Sequence, residues 1–273
     1  MRDSADLSRF TYQAAVIGLG GLGLVVMVGP VLLGLLMSFT AGQTLRFPPS
    51  GLSLRWYEAL ADPARSEPIH RAAATSLEIA ALAVLGAMVF AVPAAIGTLR
   101  LSRKALVGVE AVLLAPLVLP SLVYGFGALI AATMIGLGTS RALVIAGHIV
   151  IFAPLLYRAT VAVAAGLDPS LEEASATLGA HYHRTFARIL LPLLAPGIVA
   201  GAFLVFMQSF DNVSITLFLA DAGTSVLPMR LWQMIEESLD ARVAAVSGVL
   251  IAATFILLVL AQRIAPLMRD RGQ

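Results

Sequence analysis

Five long runs without a charged side chain constrain the fold of this chain more than any other feature. Each contains at least 20 residues with no Asp, Glu, Lys or Arg, and they span residues 10–45, 79–99, 111–140, 189–210 and 243–262. About 20 residues of helix cross a hydrocarbon layer of about 30 Å while satisfying every backbone hydrogen bond within the segment. Each run therefore predicts one transmembrane helix.

A shorter charge-free segment, residues 142–157, predicts a sixth membrane helix. It contains 16 residues and ends before Arg158, whose long side chain can reach the interface from a helix end. Hydrophobic residues make up 59% of the chain and charged residues only 12%, which excludes a water-soluble globular protein. We expect an all-α membrane protein with six transmembrane helices.

The distribution of basic residues predicts the orientation of the chain. If the N-terminus is cytoplasmic, the inside segments carry eleven basic residues and the outside segments carry seven. This bias follows the positive-inside rule and places both termini in the cytoplasm. The first apolar run has 36 residues and exceeds the core of a signal peptide, about 7–15 residues, so we expect it to remain as the first helix. The net charge of +2 does not indicate a nucleic-acid partner.

Prolines predict irregular geometry in three of the helices. Pro116 and Pro120 lie four residues apart in helix 3, and each removes one intrahelical hydrogen bond. Helix 3 is therefore predicted to be kinked or broken. Pro93 and Pro154 predict kinks in helices 2 and 4.

No catalytic or metal-binding pattern is present in the sequence. The chain has no cysteine, and it contains no Walker A, HExxH or GxSxG motif. His181 and His183 are two residues apart, a spacing that points side chains about 200° apart on a helix, so we expect no shared metal. His148, inside helix 4, is predicted to form an interhelical hydrogen bond. Gly197 and Gly201 form one GxxxG motif, which we interpret as a packing contact in helix 5.

Residues 168–192 form the most informative polar segment. Asp168 and Ser170 are both candidate helix N-caps, and Glu173 lies three residues after Ser170, as in a capping box. Gly179 can take the left-handed conformation that ends a helix, and a second helix follows. The pattern predicts two helices joined by a tight turn on the cytoplasmic side.

This segment resembles the EAA loop of ABC-importer permeases. The similarity consists of Glu-Ala-Ser-x-x-x-Gly, nine residues and then Ile-x-Leu-Pro, which falls on Glu173, Ala174, Ser175, Gly179, Ile189, Leu191 and Pro192. The one departure is Ser175, at a position where the family usually has alanine. In that family the loop forms a coupling helix that sits in a groove of a cytoplasmic ATPase. The resemblance therefore implies that these seven residues couple the chain to an ATPase.

The resemblance also implies a fold, partners and a location. The fold would be that of a type I ABC importer permease with six transmembrane helices and a cytoplasmic coupling helix. Its partners would be a second permease subunit, a cytoplasmic ATPase dimer, an extracytoplasmic substrate-binding protein and membrane lipid. ATP and magnesium would bind to the ATPase subunits, while this chain would be non-catalytic and hold no cofactor. Its location would be the inner (plasma) membrane.

Other stretches resemble the polyamine (spermidine/putrescine) group of these permeases. They are Phe47-Pro48-Pro49 with the following Leu-Ser-Leu-Arg-Trp-Tyr, Thr75-Ser76-Leu77, Ser209–Ser214 and Leu227-Pro228. The substrate implied is a polyamine such as spermidine or putrescine. Related permeases for aminoalkylphosphonates, thiamine or ferric ion share much of this pattern, and these solutes stay as alternatives.

Asp211 is the candidate pathway residue. It follows the charge-free run of helix 5, which places it near the outer end of the pathway, and a carboxylate there is costly if it faces lipid. With Asn212 and Ser214 it could form a weak site for a cationic solute. The alternative is structural, because Asp211 could cap helix 5 or pair with Arg230 or Arg242.

We divide the chain into three segments. Residues 1–66 comprise a cytoplasmic tail, helix 1 and an extracytoplasmic loop, residues 67–265 form the permease core with helices 2–6, and residues 266–273 are a second tail.

Two other classes of membrane protein fit the sequence less well. An independent secondary transporter usually carries several ionisable groups within the membrane, whereas the long runs here are empty apart from His148 and the boundary residue Asp211. A membrane enzyme would need a set of convergent acid, base or nucleophilic residues, and the sequence shows no such set.

Overall fold

The computed structural model describes the backbone of residues 2–168 and 170–270, and the side chains of residues 12–168, 170–260 and 263. Over these ranges helices dominate, and β pairing is limited to isolated bridges. The helices are α1 (Arg2–Met37), α2 (Arg55–Ala61), α3 (Pro63–Thr98), α4 (Arg103–Val118), α5 (Ser121–Met134), α6 (Arg141–Ala164), α7 (Ser170–Thr177), α8 (Tyr182–Thr185), α9 (Leu191–Phe210), α10 (Ser214–Leu219), α11 (Leu227–Ser238) and α12 (Arg242–Asp270). A π-helical turn, Phe186–Leu190, joins α8 to α9. The predicted all-α fold is confirmed.

Five helical stretches among the described residues are long and apolar enough to cross a membrane. They are Tyr12–Met37, Pro63–Thr98, Arg141–Ala164, Tyr182–Phe210 and Arg242–Leu260. The pair α4 and α5 adds a sixth crossing if the two helices are taken as one broken span. The predicted six helices therefore correspond to five long stretches and one bent pair.

The bend between α4 and α5 is the break that the prolines of helix 3 predict. The two helices meet at an angle of 102°. Leu119 has an extended conformation, with φ −77° and ψ 132°, because the ring of Pro120 disfavours the helical conformation in the residue before it. The prediction of a broken segment is confirmed.

Helix α3 begins well before residue 79, where the charge-free run that predicts it starts. It starts at Pro63 and is interrupted at Ser66, whose φ of −129° and ψ of 20° are not helical. Pro68 comes two residues after this interruption, where a missing N–H costs no helical hydrogen bond. Glu67 pairs with Arg71 one turn later, which supports the helix in a stretch that hydrophobicity alone does not identify.

Helix α6 extends past Arg158, although the charge-free segment 142–157 predicts that the helix ends there. The helix continues to Ala164, and Arg158 is exposed on its surface. Helix α6 also continues through Pro154, as α3 does through Pro93.

The described residues fall into two compact units. The first comprises the residues up to Ser66 together with Gln233–Ile256, and the second comprises Glu67–Trp232 together with the residues from Leu257 on. Within the second unit, α9 packs closely on α6. A Cβ atom at Gly197 would lie 2.7 Å from the carbonyl oxygen of Ala159, and one at Gly201 would lie 2.7 Å from Cα of Leu156. The GxxxG motif therefore lies in the α6–α9 contact, as predicted.

Candidate functional site

Residues 168–192, which we call the coupling segment after the loop that they resemble, contain the helices α7 and α8 joined by a tight turn. Helix α7 ends at Thr177, and Gly179 has φ +77°. The N–H of Gly179 donates to the carbonyl of Ala176 at 2.9 Å, and that of Ala180 donates to the carbonyl of Ser175 at 3.1 Å. The left-handed conformation predicted for Gly179 is confirmed, as is the paired-helix geometry.

Asp168 provides the capping contact at the start of α7. Its Oδ1 accepts the N–H of Ser170 at 2.9 Å. Hydrogen bonds from the N–H and hydroxyl of Ser170 hold the pKa of Asp168 below its usual value, because they stabilise the carboxylate. Ser170, the other predicted cap, is itself the first helical residue. Of the two candidates in the sequence, Asp168 is the one that caps.

Helix α7 carries an uncovered apolar face. Leu171, Ala174 and Leu178 lie three or four residues apart and are all exposed, with Leu178 at 87%. Glu173 is exposed beside them. An eight-residue helix outside the membrane-spanning stretches gains nothing from exposing leucines to water, so this face is suited to contact with another protein.

Ser175 faces inward and joins the two helices of the coupling segment. Its Oγ lies 2.8 Å from Oγ1 of Thr185, and both residues are buried. In the sequence, Ser175 is notable only as the one departure from the family pattern, which usually has alanine there. Its partner ten residues away was missed, because nothing in the local pattern shows that the turn brings the two hydroxyls together.

The remaining motif residues mark the start of α9. The N–H of Leu191 donates to the carbonyl of Phe186, five residues earlier, in the π-helical turn that contains Ile189. Pro192 follows within the first turn of α9. Its ring cannot donate to the carbonyl of Arg188 and crowds it, which accounts for a widened turn at this position.

Arg100, one of the eleven basic residues of the predicted inside segments, also contacts the coupling segment. It follows the end of α3 and forms an ion pair with Glu172 of α7. Its guanidinium lies 5.0 Å from the ring centroid of Tyr182, the first residue of α8. Arg100 is 72 positions from Glu172 and 82 positions from Tyr182 in the sequence, and no sequence pattern predicts contacts at such separations.

The three candidate pathway residues surround the break between α9 and α10. Asp211 is the residue that follows α9, and it is exposed. Asn212 has a structural role, since its Oδ1 accepts the N–H of Ile215 at 2.9 Å and caps α10, which starts at Ser214.

His148 lies behind this break in a buried polar network. Its Nδ1 is 2.8 Å from Oγ of Ser209 in α9, and its Nε2 is 3.5 Å from Oγ1 of Thr216 in α10. The hydroxyl of Thr216 in turn donates to the carbonyl of Asn212 at 3.0 Å. The interhelical hydrogen bond predicted for His148 is confirmed.

His181 and His183 do not point apart, contrary to the prediction from helical spacing. Their rings stack with centroids 5.9 Å apart and planes 11° from parallel. The spacing argument failed because His181 is the extended N-cap of α8, with ψ 148°, and does not follow helical geometry.

Comparison with protein families decides the class of this chain. Residues 75–270 match the family described as binding-protein-dependent transport system inner membrane component. The chain belongs to this family. The match contains the coupling segment, the break between α9 and α10, and most of the predicted membrane helices. As a family member the chain is a multi-pass membrane permease subunit of an ABC importer.

Relatives in this family carry different solute names. The putrescine transport system permease protein PotI of Escherichia coli K12 is 29% identical over 247 residues, covering 86% of this chain and 85% of that protein. The spermidine/putrescine permease protein PotC of Haemophilus influenzae is 26% identical, covering 78% of this chain and 82% of that protein. The molybdenum transport system permease protein ModB of Escherichia coli K12 is 31% identical, covering 76% of this chain and 98% of that protein.

Solved structures of ABC transporters share the fold. A bacterial transporter that imports the acidic polysaccharide alginate matches with a TM-score of 0.71 and 16% identity, covering 100% of both chains. The inward-facing MetNI methionine transporter matches with a TM-score of 0.60 and 18% identity, covering 73% of this chain and 95% of that chain. The predicted ABC importer permease fold is confirmed.

Proposed function

We propose that this chain forms part of the solute pathway of an ATP-driven importer and is driven by a cytoplasmic ATPase through its coupling segment. The observation that carries the proposal is the exposed apolar face of α7, which the left-handed turn at Gly179 and the buried Ser175–Thr185 contact hold in a fixed shape. The residues proposed to couple the chain to the ATPase are Glu173, Ala174, Ser175, Gly179, Ile189, Leu191 and Pro192, of which the buried Ser175 acts by holding the shape of the segment. Both termini and the coupling segment are on the cytoplasmic side in this proposal.

The proposed partners follow from the family. A second permease subunit completes the pathway, an ATPase dimer binds ATP and magnesium, and an extracytoplasmic protein delivers the solute. This chain hydrolyses nothing itself. Closure of the ATPases on ATP moves the two coupling segments and shifts the permease pair from an inward-open to an outward-open state, which requires that the partners contact the two states differently.

We propose a polyamine such as putrescine or spermidine as the solute. PotI and PotC, both named for polyamines, are similar over more than three quarters of this chain. ModB, named for molybdenum, is 31% identical, so a molybdenum oxyanion is the second candidate. The two candidates differ in the sign of their charge, and this makes them separable by experiment. Aminoalkylphosphonates, thiamine and ferric ion complete the set of solutes to test.

The solute experiment is identification of what the cognate binding protein carries. The importer is purified with that protein, and the bound solute is determined by mass spectrometry. Putrescine or spermidine is the expected result. A bound oxyanion would overturn the polyamine proposal while leaving the permease role intact.

Asp211 provides a test in this chain itself. In the proposal its exposed carboxylate attracts a cation at the pathway, near Ser214 and Asn212. Asp211→Asn keeps the volume and removes the charge, so putrescine uptake at low concentration should fall while assembly and ATP hydrolysis are retained. Glu237→Gln, at another exposed acid, is the control. Equal uptake by the Asp211→Asn variant and the parent at every concentration would exclude this role.

A further inference from the structure

Arg100 occupies the turn between α3 and α4 and reaches both helices of the coupling segment. It pairs with Glu172 in the first turn of α7 and covers the ring of Tyr182 at the first turn of α8, 5.0 Å from the ring centroid. A planar guanidinium can make both contacts at once, since its edge donates to a carboxylate while its face lies over an aromatic ring. The side chain therefore joins three elements.

This contact is a charged connection between the coupling segment and the α3–α4 turn. Among the described residues, Arg100–Glu172 is the one ion pair between the coupling segment and another element. A cavity of about 370 Å³ lies next to it, lined by residues of α7, of the α3–α4 turn and of the end of α6. Helix α7 is therefore not tightly packed against these helix ends, and a side chain that crosses the gap fixes their separation.

Hydrogen bonds also connect the helices on either side of the α3–α4 turn to α6. The hydroxyl of Tyr157 in α6 lies 3.2 Å from Oγ1 of Thr98, the last residue of α3, and 3.1 Å from Oε1 of Glu110 in α4. Tyr157 and Thr98 are buried. These hydrogen bonds join α6 to the two helices on either side of the turn, and α6 is the helix on which α9 packs.

We infer that Arg100 is a positioning residue for energy coupling, which makes the coupling segment and the α3–α4 turn move as one body when the ATPase closes. This inference rests on the proposed function, because it concerns how motion at the ATPase contact reaches the membrane helices. The Arg100–Glu172 pair is about half exposed, so its contribution to stability is small and its effect is on geometry.

The direct test measures a distance in the assembled transporter. Spin labels are attached to Ala105→Cys, in the first turn of α4, and to Ala176→Cys in α7. Both alanines are exposed, and the chain has no native cysteine. In the parent the distance should stay narrow and unchanged between the nucleotide-free and ATP-bound states. With Arg100→Glu, which repels Glu172, the distribution should broaden and shift on ATP binding, whereas a distribution as narrow as that of the parent would overturn the inference.

Rescue and matched controls separate positioning from a general loss of structure. Combining Arg100→Glu with Glu172→Arg restores an ion pair and should recover much of the narrow distribution. Tyr182→Phe keeps the ring face and should behave like the parent. Arg103→Gln removes an exposed charge three residues from Arg100 and should have no effect. An equal effect of Arg103→Gln, or no recovery in the swapped pair, would overturn the inference.

The functional readout is the amount of ATP hydrolysed per putrescine imported in vesicles. We expect Arg100→Glu to raise this ratio about three- to tenfold, because hydrolysis continues while less of the movement of the coupling segment reaches the membrane helices. Failure of the proposed function gives a different pattern: the parent itself would show no import linked to hydrolysis, while the label distance would still report whether Arg100 joins the two elements.

Discussion

Ser175 is the residue at which the coupling segment departs from the pattern it resembles, and the structure gives that departure a physical role. Alanine there could fill the same volume but could not bond to Thr185. The hydroxyl pair is buried, and a buried hydroxyl without a partner costs about 1–3 kcal/mol. Ser175 and Thr185 thus form a pair in which each buried hydroxyl provides the hydrogen-bond partner of the other.

Replacing Ser175 alone should therefore destabilise the protein more than replacing both residues. Ser175→Ala leaves the hydroxyl of Thr185 unpaired, and we expect the melting temperature of the purified complex to fall by about 2–4 °C. Thr185→Ala should have a similar effect. The double variant should be more stable than the sum of the single effects predicts, and strict additivity in this cycle would show that the hydrogen bond has no energetic role.

Gly179 is required for its backbone conformation and not for lack of space. Its φ is +77°, and a Cβ there would meet no atom within 4 Å. Gly179→Ala should cost about 1–2 kcal/mol locally, turn the end of α7 and reduce ATP-driven uptake.

Gly136 is a matched control for Gly179, because it has φ +78° and equally open surroundings in the turn after α5. Gly136→Ala introduces the same strain outside the coupling segment, so uptake per ATP should stay near the parental value. Loss of coupling in both variants to the same extent would mean that strain alone, wherever it lies, explains the defect.

At the scale of whole elements, the sequence predicted the apolar helices better than their ends. Runs without charge located the membrane helices because charged side chains are costly in lipid, and Pro120 predicted the break before α5. The same reasoning misplaced the start of α3 and the end of α6, since Arg71 and Arg158 are held at the surface of helices that continue past them.

The two helices of the coupling segment were predictable because caps and a turn glycine are local signals. The contacts of Arg100 and Thr185 depend on how distant elements meet, and no local signal encodes them.

The α6–α9 contact provides a prediction at this scale. Gly201→Ala would bring a Cβ to 2.7 Å from Cα of Leu156 and 3.1 Å from Cβ of Ala159, so the two helices must separate. We expect a cost of about 1–3 kcal/mol and a reduced yield of monodisperse complex in size-exclusion chromatography. Gly127→Ala in α5, where no atom lies within 4 Å, should purify like the parent. If both variants lost a similar yield of monodisperse complex, the defect would come from replacing any helix glycine and not from the α6–α9 contact.

At the scale of the whole molecule, the orientation in the membrane is the first property to test. Ala64 and Ala105 are exposed, and the basic residues predict that they lie on opposite sides of the membrane. A single cysteine at position 64 should react with an impermeant maleimide added to intact cells, and one at position 105 should react only after permeabilisation. Labelling of both from outside would contradict the orientation proposed for the coupling segment.

The central claim is that solute movement through this subunit is driven by ATP hydrolysis on a partner and transmitted through the coupling segment. The most direct measurement is uptake of radiolabelled putrescine by vesicles that contain the complete transporter, with binding protein outside and either ATP or an ion gradient as the only energy source. We predict uptake with ATP, none with a proton or sodium gradient alone, and reduced ATP-driven uptake in Gly179→Ala but not in Gly136→Ala. Uptake driven by an ion gradient without ATP would contradict it.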